Sequence, residues 1–366
     1  LGSDIPGPVS LVAISGDGTK IFSEDTLDLR SYELYNGNWV MYVQNFEGAF
    51  SGIYPIDKIV ASTDGTTLAL SKPDDNRIVR IQTLATNSGY RFTQSGSSIT
   101  ANGQAISNNS DTKVVTDSTS IKIYQFPTLH ATNTSTWPNT PATVTWPATP
   151  ALTINDVATS VDVSTDGLRV VVGTASKMFV VSYDTNTSTW AQLGPDISGA
   201  TQVVAISKDG TKVMSTNGPG SQLKSYEYVG GSWVTYLPDL AVNATSDDRI
   251  IASTNGEIIA FTSHGQTSHQ VYHRENVNSY QLNLVNSYSG KSEQAISGNA
   301  LVKVIGDPSY LGYTGLVEIY ENVGGAWPPT PDATFQGGSS NENFGFNLAV
   351  SEDGTRIVVA SYASGG

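Results

Sequence analysis

Three of the four histidines in the 366-residue chain lie close together, at His264, His269 and His273. His269 and His273 are four residues apart, so a β-strand would place both side chains on one face. A tetrahedral Zn²⁺ site would need such a pair and a third ligand, for which His264 or Glu275 could serve. The simpler interpretation is a polar strand and loop with ordinary surface imidazoles, and we expect neither a metal site nor a cofactor.

Neighbouring carboxylates that could act as a general acid and a general base occur at Glu24-Asp25, Asp74-Asp75 and Asp247-Asp248. A glycosidase needs two carboxylates that face each other across a cleft, roughly 5–9 Å apart. Adjacent acids in a loop usually point apart into solvent. These pairs therefore do not by themselves predict a catalytic site.

Three tyrosines that lie outside any repeated pattern are candidates for binding a partner: Tyr54, Tyr310 and Tyr313. All three fall in segments that read as loops, where function often resides. An exposed tyrosine offers a large contact area with a polar tip, which binding surfaces favour. We therefore expect these loops to be the places where this protein touches another molecule.

Four Asn-x-Ser/Thr sequences are candidate N-glycosylation sites. Each of them falls in a segment that reads as a turn or loop, where a glycan is tolerated. Their asparagines are Asn108, Asn133, Asn186 and Asn243. A chain rich in Ser, Thr and Asn produces such matches by chance, so they add only a little support for a location outside the cell.

Composition excludes several classes of protein. The net charge of −14 and the pI near 4.6 disfavour binding to a phosphate backbone. The chain has no cysteine, which excludes disulfides, thiolate metal sites and cysteine nucleophiles. No run approaches 18 apolar residues, so we expect neither a membrane span nor insertion into a membrane.

The elements that must position the candidate residues come from a repeat centred on an Asp-Gly turn. Residues 11–22 read as a strand, a tight turn at Asp17-Gly18 and a second strand, because glycine adopts the positive φ of such a turn without steric cost. A serine two positions before the turn Asp recurs, and its hydroxyl and the carboxylate can both bond to turn amides. The turn residue recurs at steps of 43 to 55 residues, at Asp17, Asp64, Asp111, Asp166, Asp209, Asn255, Asn299 and Asp353.

The second half of the repeat carries a tyrosine strand and a tryptophan strand. Tyr32, Tyr183, Tyr226 and Tyr320 are aligned, and a tryptophan follows each of them by seven residues. These tryptophans are Trp39, Trp190, Trp233 and Trp327. A period in the forties with four short strands per unit is typical of β-propeller blades, and we expect almost no helix.

We therefore expect one all-β domain over residues 1–366, a β-propeller of four-stranded antiparallel blades. Seven complete units and one incomplete unit indicate eight blades, and seven blades are the alternative. The predicted blades span approximately residues 11–52, 53–98, 99–155, 156–198, 199–241, 242–290, 291–337, and 338–366 together with 1–10.

The incomplete unit is predicted to be one blade split between the two ends of the chain. Leu1-Gly2-Ser3-Asp4-Ile5 matches the end of the tryptophan strand at Leu193–Ile197. Pairing the ends in one blade would remove the exposed edges of an open sheet. Because the chain opens without an initiator Met, we expect a processed chain or part of a longer one, such as a fibre assembly.

The repeat resembles the FG-GAP-like propeller repeats of large cell-surface and viral proteins. The resemblance is carried by Trp190–Ile197, Val204–Thr211 and Ser225–Tyr228, and by the Phe-Gly pair of Phe344–Ser351. It covers nearly the whole chain and implies extracellular recognition or scaffolding. Integrin-type members hold Ca²⁺ in Asp-x-Asp-x-Asp-Gly loops, whereas the turns of this chain offer one Asp each, so calcium binding is not carried over.

Together these observations predict a non-enzymatic module on a cell or virion surface, with a structural or adhesive role and protein or glycan partners. The alternative is a glycoside-active hydrolase with its site at the central channel, because Ser-x-Asp-Gly-Thr is also similar to the Asp-box turn of sialidase propellers. Repetition favours the first interpretation, since a catalytic residue should occur once, whereas this turn recurs throughout the chain.

Overall fold

The repeated apolar runs form short antiparallel strands in a computed structural model of the chain. The structure describes residues 5, 9, 11–24, 29–44, 58–71, 77–83, 90–94, 103–107, 111–125, 147, 149–199, 201–217, 222–241, 249–262, 269–276, 279–284, 293–323 and 327–362. Within these residues the strands form eight separate sheets, numbered here in chain order. No helix in this part of the chain has the length and apolar character needed to cross a membrane.

The first four sheets follow the chain in order, and each is built from consecutive strands. Sheet 1 contains β1 (Leu11–Ile14), β2 (Lys20–Glu24), β3 (Leu29–Tyr35) and β4 (Asn38–Gln44). Sheet 2 contains β5 (Lys58–Ala61), β6 (Thr67–Ser71), β7 (Arg77–Thr83) and β8 (Tyr90–Gln94). Sheet 3 contains β9 (Gly103–Ile106), β10 (Thr112–Thr116), β11 (Ile121–Gln125) and β12 (Leu152–Ile154). Sheet 4 contains β13 (Ala158–Val163), β14 (Arg169–Thr174), β15 (Lys177–Asp184), β16 (Thr189–Gln192) and β17 (Ile197–Ser198), and β16 and β17 both pair with β15.

The remaining four sheets continue the same order, and the last of them contains two strands. Sheet 5 contains β18 (Val203–Ile206), β19 (Lys212–Thr216), β20 (Gln222–Val229) and β21 (Ser232–Ala241). Sheet 6 contains β22 (Arg249–Ala252), β23 (Ile258–Thr262), β24 (His269–Asn276) and β25 (Ser279–Leu284). Sheet 7 contains β26 (Glu293–Ile296), β27 (Val302–Asp307), β28 (Leu316–Glu321) and β29 (Ala333–Gln336), with a short helical turn, α1 (Tyr310–Tyr313), between β27 and β28. Sheet 8 contains β30 (Asn347–Val350) and β31 (Ile357–Ala360).

The Ser-x-Asp motif closes the turn between the first two strands of a sheet. In sheet 5 the Ser207 hydroxyl donates to Asp209 Oδ1 at 2.6 Å and accepts the Lys212 N–H at 2.9 Å. Asp209 Oδ1 also accepts the N–H and the hydroxyl of Thr211. The predicted bonding of the turn is thus confirmed. The serine makes the same bond to the turn Asp or Asn at Ser15, Ser62, Ser164, Ser253, Ser297 and Ser351.

Backbone hydrogen bonds join most of the described turns to the turn of the next sheet. Six such bonds have N···O distances of 2.9–3.1 Å. They run from the N–H of one residue to the carbonyl of another, in the pairs Asp17 to Thr63, Thr165 to Lys208, Asp209 to Thr254, Thr254 to Gly298, Asn299 to Glu352 and Glu352 to Gly16. The last bond connects sheet 8 to sheet 1, so the sheets close into a ring.

A side chain at the start of the second strand strengthens the same contact. Lys20 Nζ donates to the carbonyl of Asp64 at 2.8 Å, and Arg169 donates to the carbonyl of Gly210 at 2.9 Å. This side chain lies directly against the glycine of the neighbouring turn. A Cβ on Gly65, whose φ is +63°, would lie 2.9 Å from Lys20 Cδ, so the turn requires glycine for its backbone conformation and for the close approach.

The hydrophobic core lies between the faces of neighbouring sheets. In β14, Val170 and Val172 pack towards sheet 3, while Val171 packs towards sheet 5. Alternate residues of one strand therefore enter different layers of the core, as the two-residue period of a strand requires. This explains why second strands such as β14 are buried along nearly their whole length.

The alignment of Tyr183 with the other strand tyrosines is wrong by two residues. Tyr32 lies opposite Ile21 and Tyr226 lies opposite Val213, but in sheet 4 the residue opposite Val170 is Val181. Tyr183 instead pairs with Trp190, with the ring centroids 5.4 Å apart. Because a shift of two residues keeps a side chain on the same face, the sequence pattern does not reveal it.

Replacing Ser207 by Ala should destabilise the fold by about 1–3 kcal/mol, because the buried N–H of Lys212 loses its acceptor. Urea unfolding measures the change. Ser176, which is exposed and uses only its backbone, provides the control, and Ser176→Ala should change stability by less than about 0.5 kcal/mol. Equal losses in the two variants would contradict the role given to the serine.

Acid should weaken the turns through their carboxylates. Hydrogen bonds from the Ser351 hydroxyl and the Thr355 N–H hold the pKa of Asp353 below its usual range. A carboxyl with a lowered pKa in the folded state stabilises the fold above its unfolded pKa, and this contribution is lost as the pH falls. As the pH falls below about 4, the unfolded pKa of Asp, the unfolding free energy of Asp353→Asn should therefore decrease less than that of the wild type.

Asparagine is a sound replacement at this position because Asn299 already makes the equivalent bonds in sheet 7. The measurement is the unfolding free energy of the wild type and the variant between neutral and strongly acidic pH. Parallel curves over the acidic range would show that Asp353 does not contribute to acid sensitivity.

Candidate functional site

The loop between β27 and β28 presents large side chains to solvent on a backbone with positive φ values. Leu311 has φ +44° and is 64% exposed, and Tyr313 has φ +65° and is 55% exposed. Gly312, between them, has φ +68°. Such conformations cost free energy for residues other than glycine and persist only where the surroundings hold them. Observed strain of this kind, combined with exposure, marks the loop as a candidate functional site.

Hydrogen bonds at both ends hold the loop in this conformation. Before it, Asp307 Oδ1 accepts the N–H and the hydroxyl of Ser309, at 3.0 and 2.6 Å. After it, the Thr314 hydroxyl donates to the carbonyl of Leu311 at 2.8 Å. The carbonyl of Tyr313 accepts the N–H of Asn343 at 2.8 Å. The loop is therefore fixed to the segment that leads into sheet 8.

Further exposed aromatic side chains lie on the segments that this network connects. The side chain of Asn343 donates to the carbonyl of Tyr362 at 2.7 Å, and the rings of Phe346 and Tyr362 lie 5.5 Å apart. Phe335, near the end of β29, is 53% exposed. We call Leu311, Tyr313, Phe335, Phe346 and Tyr362 the aromatic surface.

The aromatic surface lies at the opposite end of the sheets from the Asp-Gly turns. Those turns join the first strand to the second, whereas the loop of Tyr313 joins the second strand to the third. In an antiparallel sheet these two connections fall at opposite ends. The ring therefore has one end made of mutually bonded turns and another end with exposed aromatic side chains.

The turn end surrounds a cavity of about 470 Å³. Lys208 and Glu352 form an ion pair at 2.9 Å within its lining. The pair passes directly over Gly298, where a Cβ would collide with Lys208 Nζ and Glu352 Oε1. The remaining lining residues are Thr63, Thr165, Asp166, Asp209 and Thr254.

The carboxylates around this cavity are engaged in structural bonds. Asp166 Oδ1 accepts the Ser164 hydroxyl and the Leu168 N–H, and Asp209 makes the equivalent bonds in its own turn. Glu352 is paired with Lys208. The described carboxylates that line the cavity therefore either close turns or form an ion pair.

The three tyrosines predicted to bind a partner have different outcomes in the structure. Tyr313 is exposed as expected and belongs to the aromatic surface. Tyr310 is only half-buried, and its carbonyl accepts the N–H of Gly315 at 3.1 Å. Tyr54 lies outside the described residues.

The candidate metal ligands are described only in part. His269 and His273 lie in β24, opposite Thr262 and Ile258, and their four-residue spacing along one strand is as expected. The described residues contain no group of three or more side chains suited to a metal ion. His264 lies outside the described residues.

Among the sequons, Asn186 lies exposed in the turn between β15 and β16, as expected for a glycan acceptor. Asn108, Asn133 and Asn243 lie outside the described residues.

Sequence reasoning missed most of the aromatic surface. Phe335, Phe346 and Tyr362 lie in separate segments that only the fold brings near Tyr313. One available signal was the sequence around Phe344–Phe346, which was recognised for its repeat type but not as an exposed surface. Leu311 carried no signal, because a leucine at positive φ is not recognisable from its residue type.

Comparison with solved structures supports the fold. Sqt1 of Chaetomium thermophilum, solved in a complex with the N-terminus of the ribosomal protein L10, matches 97% of this chain and 95% of its own chain, with a TM-score of 0.59 and 15% identity. Kluyveromyces lactis Hsv2 matches 90% of this chain and 98% of its own, with a TM-score of 0.57 and 11% identity. At these identities the likeness concerns the fold alone. No protein-family model matches the sequence, and neither does any curated protein.

The ring of antiparallel sheets and these structural neighbours define the class: the chain is an all-β protein with a β-propeller fold. The predicted fold class is confirmed at this level. The repeat type and the number of blades are finer questions and are treated as proposals below.

Proposed function

We propose that this chain is a non-enzymatic propeller that binds a protein or glycan partner through the aromatic surface. The observation that carries the proposal is the exposure of Tyr313 and Leu311 on a backbone held at positive φ. Aromatic anchors on a rigid support contribute much of the affinity in binding surfaces. Aromatic faces also suit the apolar faces of sugar rings, so both partner classes remain within the proposal.

We further propose display outside a cell or on a virion, in a structural or adhesive role. The support is the resemblance of the repeat to FG-GAP-like propellers, together with the acidic net charge of −14 and the exposed sequon at Asn186. Phe344-Gly345-Phe346 retains the Phe-Gly pair of that repeat type and contributes Phe346 to the aromatic surface. Partners would then be other surface proteins or glycans, and the chain could form part of a longer protein or a fibre.

The number of blades is proposed as eight, with sheet 8 as the incomplete blade. The support is the bond from Glu352 to Gly16, which places sheet 8 beside sheet 1. Ile5 packs with Ile14, Ile21 and Tyr32, as Ile197 packs with the corresponding residues of sheet 5. Ile5 therefore stands where the last strand of a preceding blade would end.

The hydrolase alternative has less support. A glycosidase would need an acid and a second carboxylate free to act on substrate. Asp166, Asp209 and Glu352 at the described cavity are instead held by turn bonds and by Lys208. Release of p-nitrophenol from p-nitrophenyl glycosides, abolished by Glu352→Gln, would favour this alternative and contradict the proposal.

The binding proposal is tested with two variants of the aromatic surface. Tyr313→Gly removes the ring and suits the positive φ, and Tyr362→Ala removes the ring that stacks on Phe346. A ligand is first identified on a glycan array or by testing cell-surface proteins one at a time. It is then titrated into the wild type and each variant by calorimetry. Each variant should bind at least about tenfold more weakly, because an anchoring aromatic contributes about 1.4 kcal/mol or more.

Tyr35 provides the matched control, because it is 67% exposed and is the last residue of β3, next to the turn that leads into β4 and away from the aromatic surface. Tyr35→Ala should leave the affinity unchanged. Equal losses in Tyr313→Gly and Tyr35→Ala, or ligands that none of the variants affects, would show that the aromatic surface is not the binding site.

A further inference from the structure

The rings of the aromatic surface differ from other rings of this chain in having no positive charge beside them. Elsewhere, Lys177 Nζ lies 5.1 Å from the ring centroid of Phe179, and Lys212 Nζ lies 4.8 Å from that of Tyr236. In the part of the chain that the structure describes, no lysine or arginine lies over a ring of the aromatic surface. These rings can therefore accept a cation that a partner brings.

The segment that carries most of the aromatic surface is acidic. Residues 306–346 contain five acidic residues and no Lys, Arg or His. The five are Asp307, Glu318, Glu321, Asp332 and Glu342. Asp307 ends β27, just before the loop of Tyr313, and Glu342 precedes Asn343, which bonds to Tyr313 and to Tyr362. Two carboxylates thus lie on the segments that present the exposed rings.

Neither of these two carboxylates has a basic partner. Glu342 Oε2 accepts the N–H groups of Gly338 and Ser339, at 2.6 and 3.0 Å, and the residue is partly exposed. Asp307 uses its oxygen Oδ1 to hold the start of the loop. Among the ion pairs of the described residues, none includes Asp307 or Glu342. Negative charge therefore remains on the backbone segments that carry the rings.

Sheets 3 and 7 follow the same sequence pattern, so their loops can be compared. Both contain Gln-Ala-Ile-Ser, at residues 104–107 and 294–297. Between the second and third strands, sheet 3 has four residues, 117–120, whereas sheet 7 has eight, 308–315. The loop of Tyr313 is therefore longer than its counterpart, and its exposed side chains belong to sheet 7 alone.

The charge of the two loops differs as well. In sheet 3, Asp117 forms an ion pair with Lys122 at 2.8 Å. When the two sheets are aligned on the Lys–Tyr pair that both contain, Asp307 and Glu318 take these two positions in sheet 7. The lysine that neutralises the turn of sheet 3 is thus replaced by an acid. Glu318 is attracted by the buried Lys303, so the uncompensated charge of this loop is that of Asp307.

We propose that the partner of the aromatic surface is a basic segment of another protein, which it contacts through arginine side chains. A guanidinium group stacks on aromatic faces and can bond to a carboxylate through two parallel N–H groups, whereas a lysine ammonium can do neither. Glu342 offers such a carboxylate within the segment that carries Phe335 and Phe346. This inference rests on the proposed function, because it names the partner class of the same site.

Charge is the property that favours a basic protein over a glycan. A glycan with carboxylate or sulfate groups would be repelled by Asp307 and Glu342, since like charges at an interface are unfavourable. A neutral glycan would gain no attraction from them. A cationic segment gains from both the rings and the carboxylates.

The test uses a short, fluorescently labelled peptide of alternating glycine and arginine, and the same peptide with citrulline in place of arginine. Citrulline keeps the planar end of the side chain and lacks its charge. Fluorescence anisotropy with the intact protein should show binding of the arginine peptide and at least about tenfold weaker binding of the citrulline peptide. The affinity of the arginine peptide should fall as salt is added, because salt screens exposed charges.

Three variants locate the binding. Glu342→Gln removes the charge but keeps an acceptor for the N–H groups of Gly338 and Ser339, and it should weaken binding of the arginine peptide about fivefold. Tyr313→Gly should weaken it at least about tenfold. Asp184→Asn is the matched control, because it removes one exposed charge from the last residue of β15, at the end of the sheets that carries the Asp-Gly turns. It should leave the affinity unchanged.

Failure of the arginine peptide to bind would overturn the inference, and so would equal binding of the citrulline peptide. Equal losses in Glu342→Gln and Asp184→Asn would also overturn it, because the attraction would then come from the overall charge of −14. A glycan whose binding Tyr313→Gly abolishes, with no binding of the arginine peptide, would overturn this inference and support the proposed function. Ligands of every kind left unaffected by Tyr313→Gly would overturn both.

Discussion

The hydrogen bond between neighbouring Asp-Gly turns is the interaction on which the arrangement of the sheets depends. Ser207 and Asp209 form hydrogen bonds with polar groups inside the turn. Other backbone N–H and C=O groups at the surface of the turn then form hydrogen bonds with the next turn. A basic side chain such as Lys20 then reaches across to the carbonyl of the next turn. Six pairs of neighbouring sheets are positioned in this way, and the ring closes where Glu352 meets Gly16.

The parts of the fold that depend on local chemistry could be predicted from the sequence. Strand pairs, the turn at Asp17-Gly18 and the serine bond within it all follow from residues within a few positions of each other. The two-residue offset of Tyr183 could not be found, because a shift of two keeps the side chain on the same face.

The candidate site could be predicted only in part. Tyr313 was recognised because it interrupts the repeat. The other members of the aromatic surface depend on contacts between distant segments, such as the bond from Asn343 to Tyr362. The ion pair of Lys208 and Glu352 likewise joins residues of two non-adjacent sheets and passes over Gly298. No spacing in the sequence indicates such a contact, because it arises only when the ring closes.

The two ends of the sheets are suited to different tasks. At the turn end, the described polar groups are largely bonded to one another, which favours a structural role. At the opposite end, the aromatic surface leaves apolar area in solvent, which is typical of a place where a partner binds. An acidic, repetitive scaffold with these features is consistent with the proposed role in binding and assembly.

Amide hydrogen exchange, resolved to single residues, tests the central role of the turns most directly. The turn amides of Thr165, Asp209, Thr254 and Glu352 should exchange as slowly as amides within the strands, because each donates to the neighbouring turn. Gly231, at the exposed tip of the hairpin between β20 and β21, should exchange rapidly and serves as the reference. If the four turn amides exchange as fast as that of Gly231, the bonds between turns do not hold the ring together and the account is wrong.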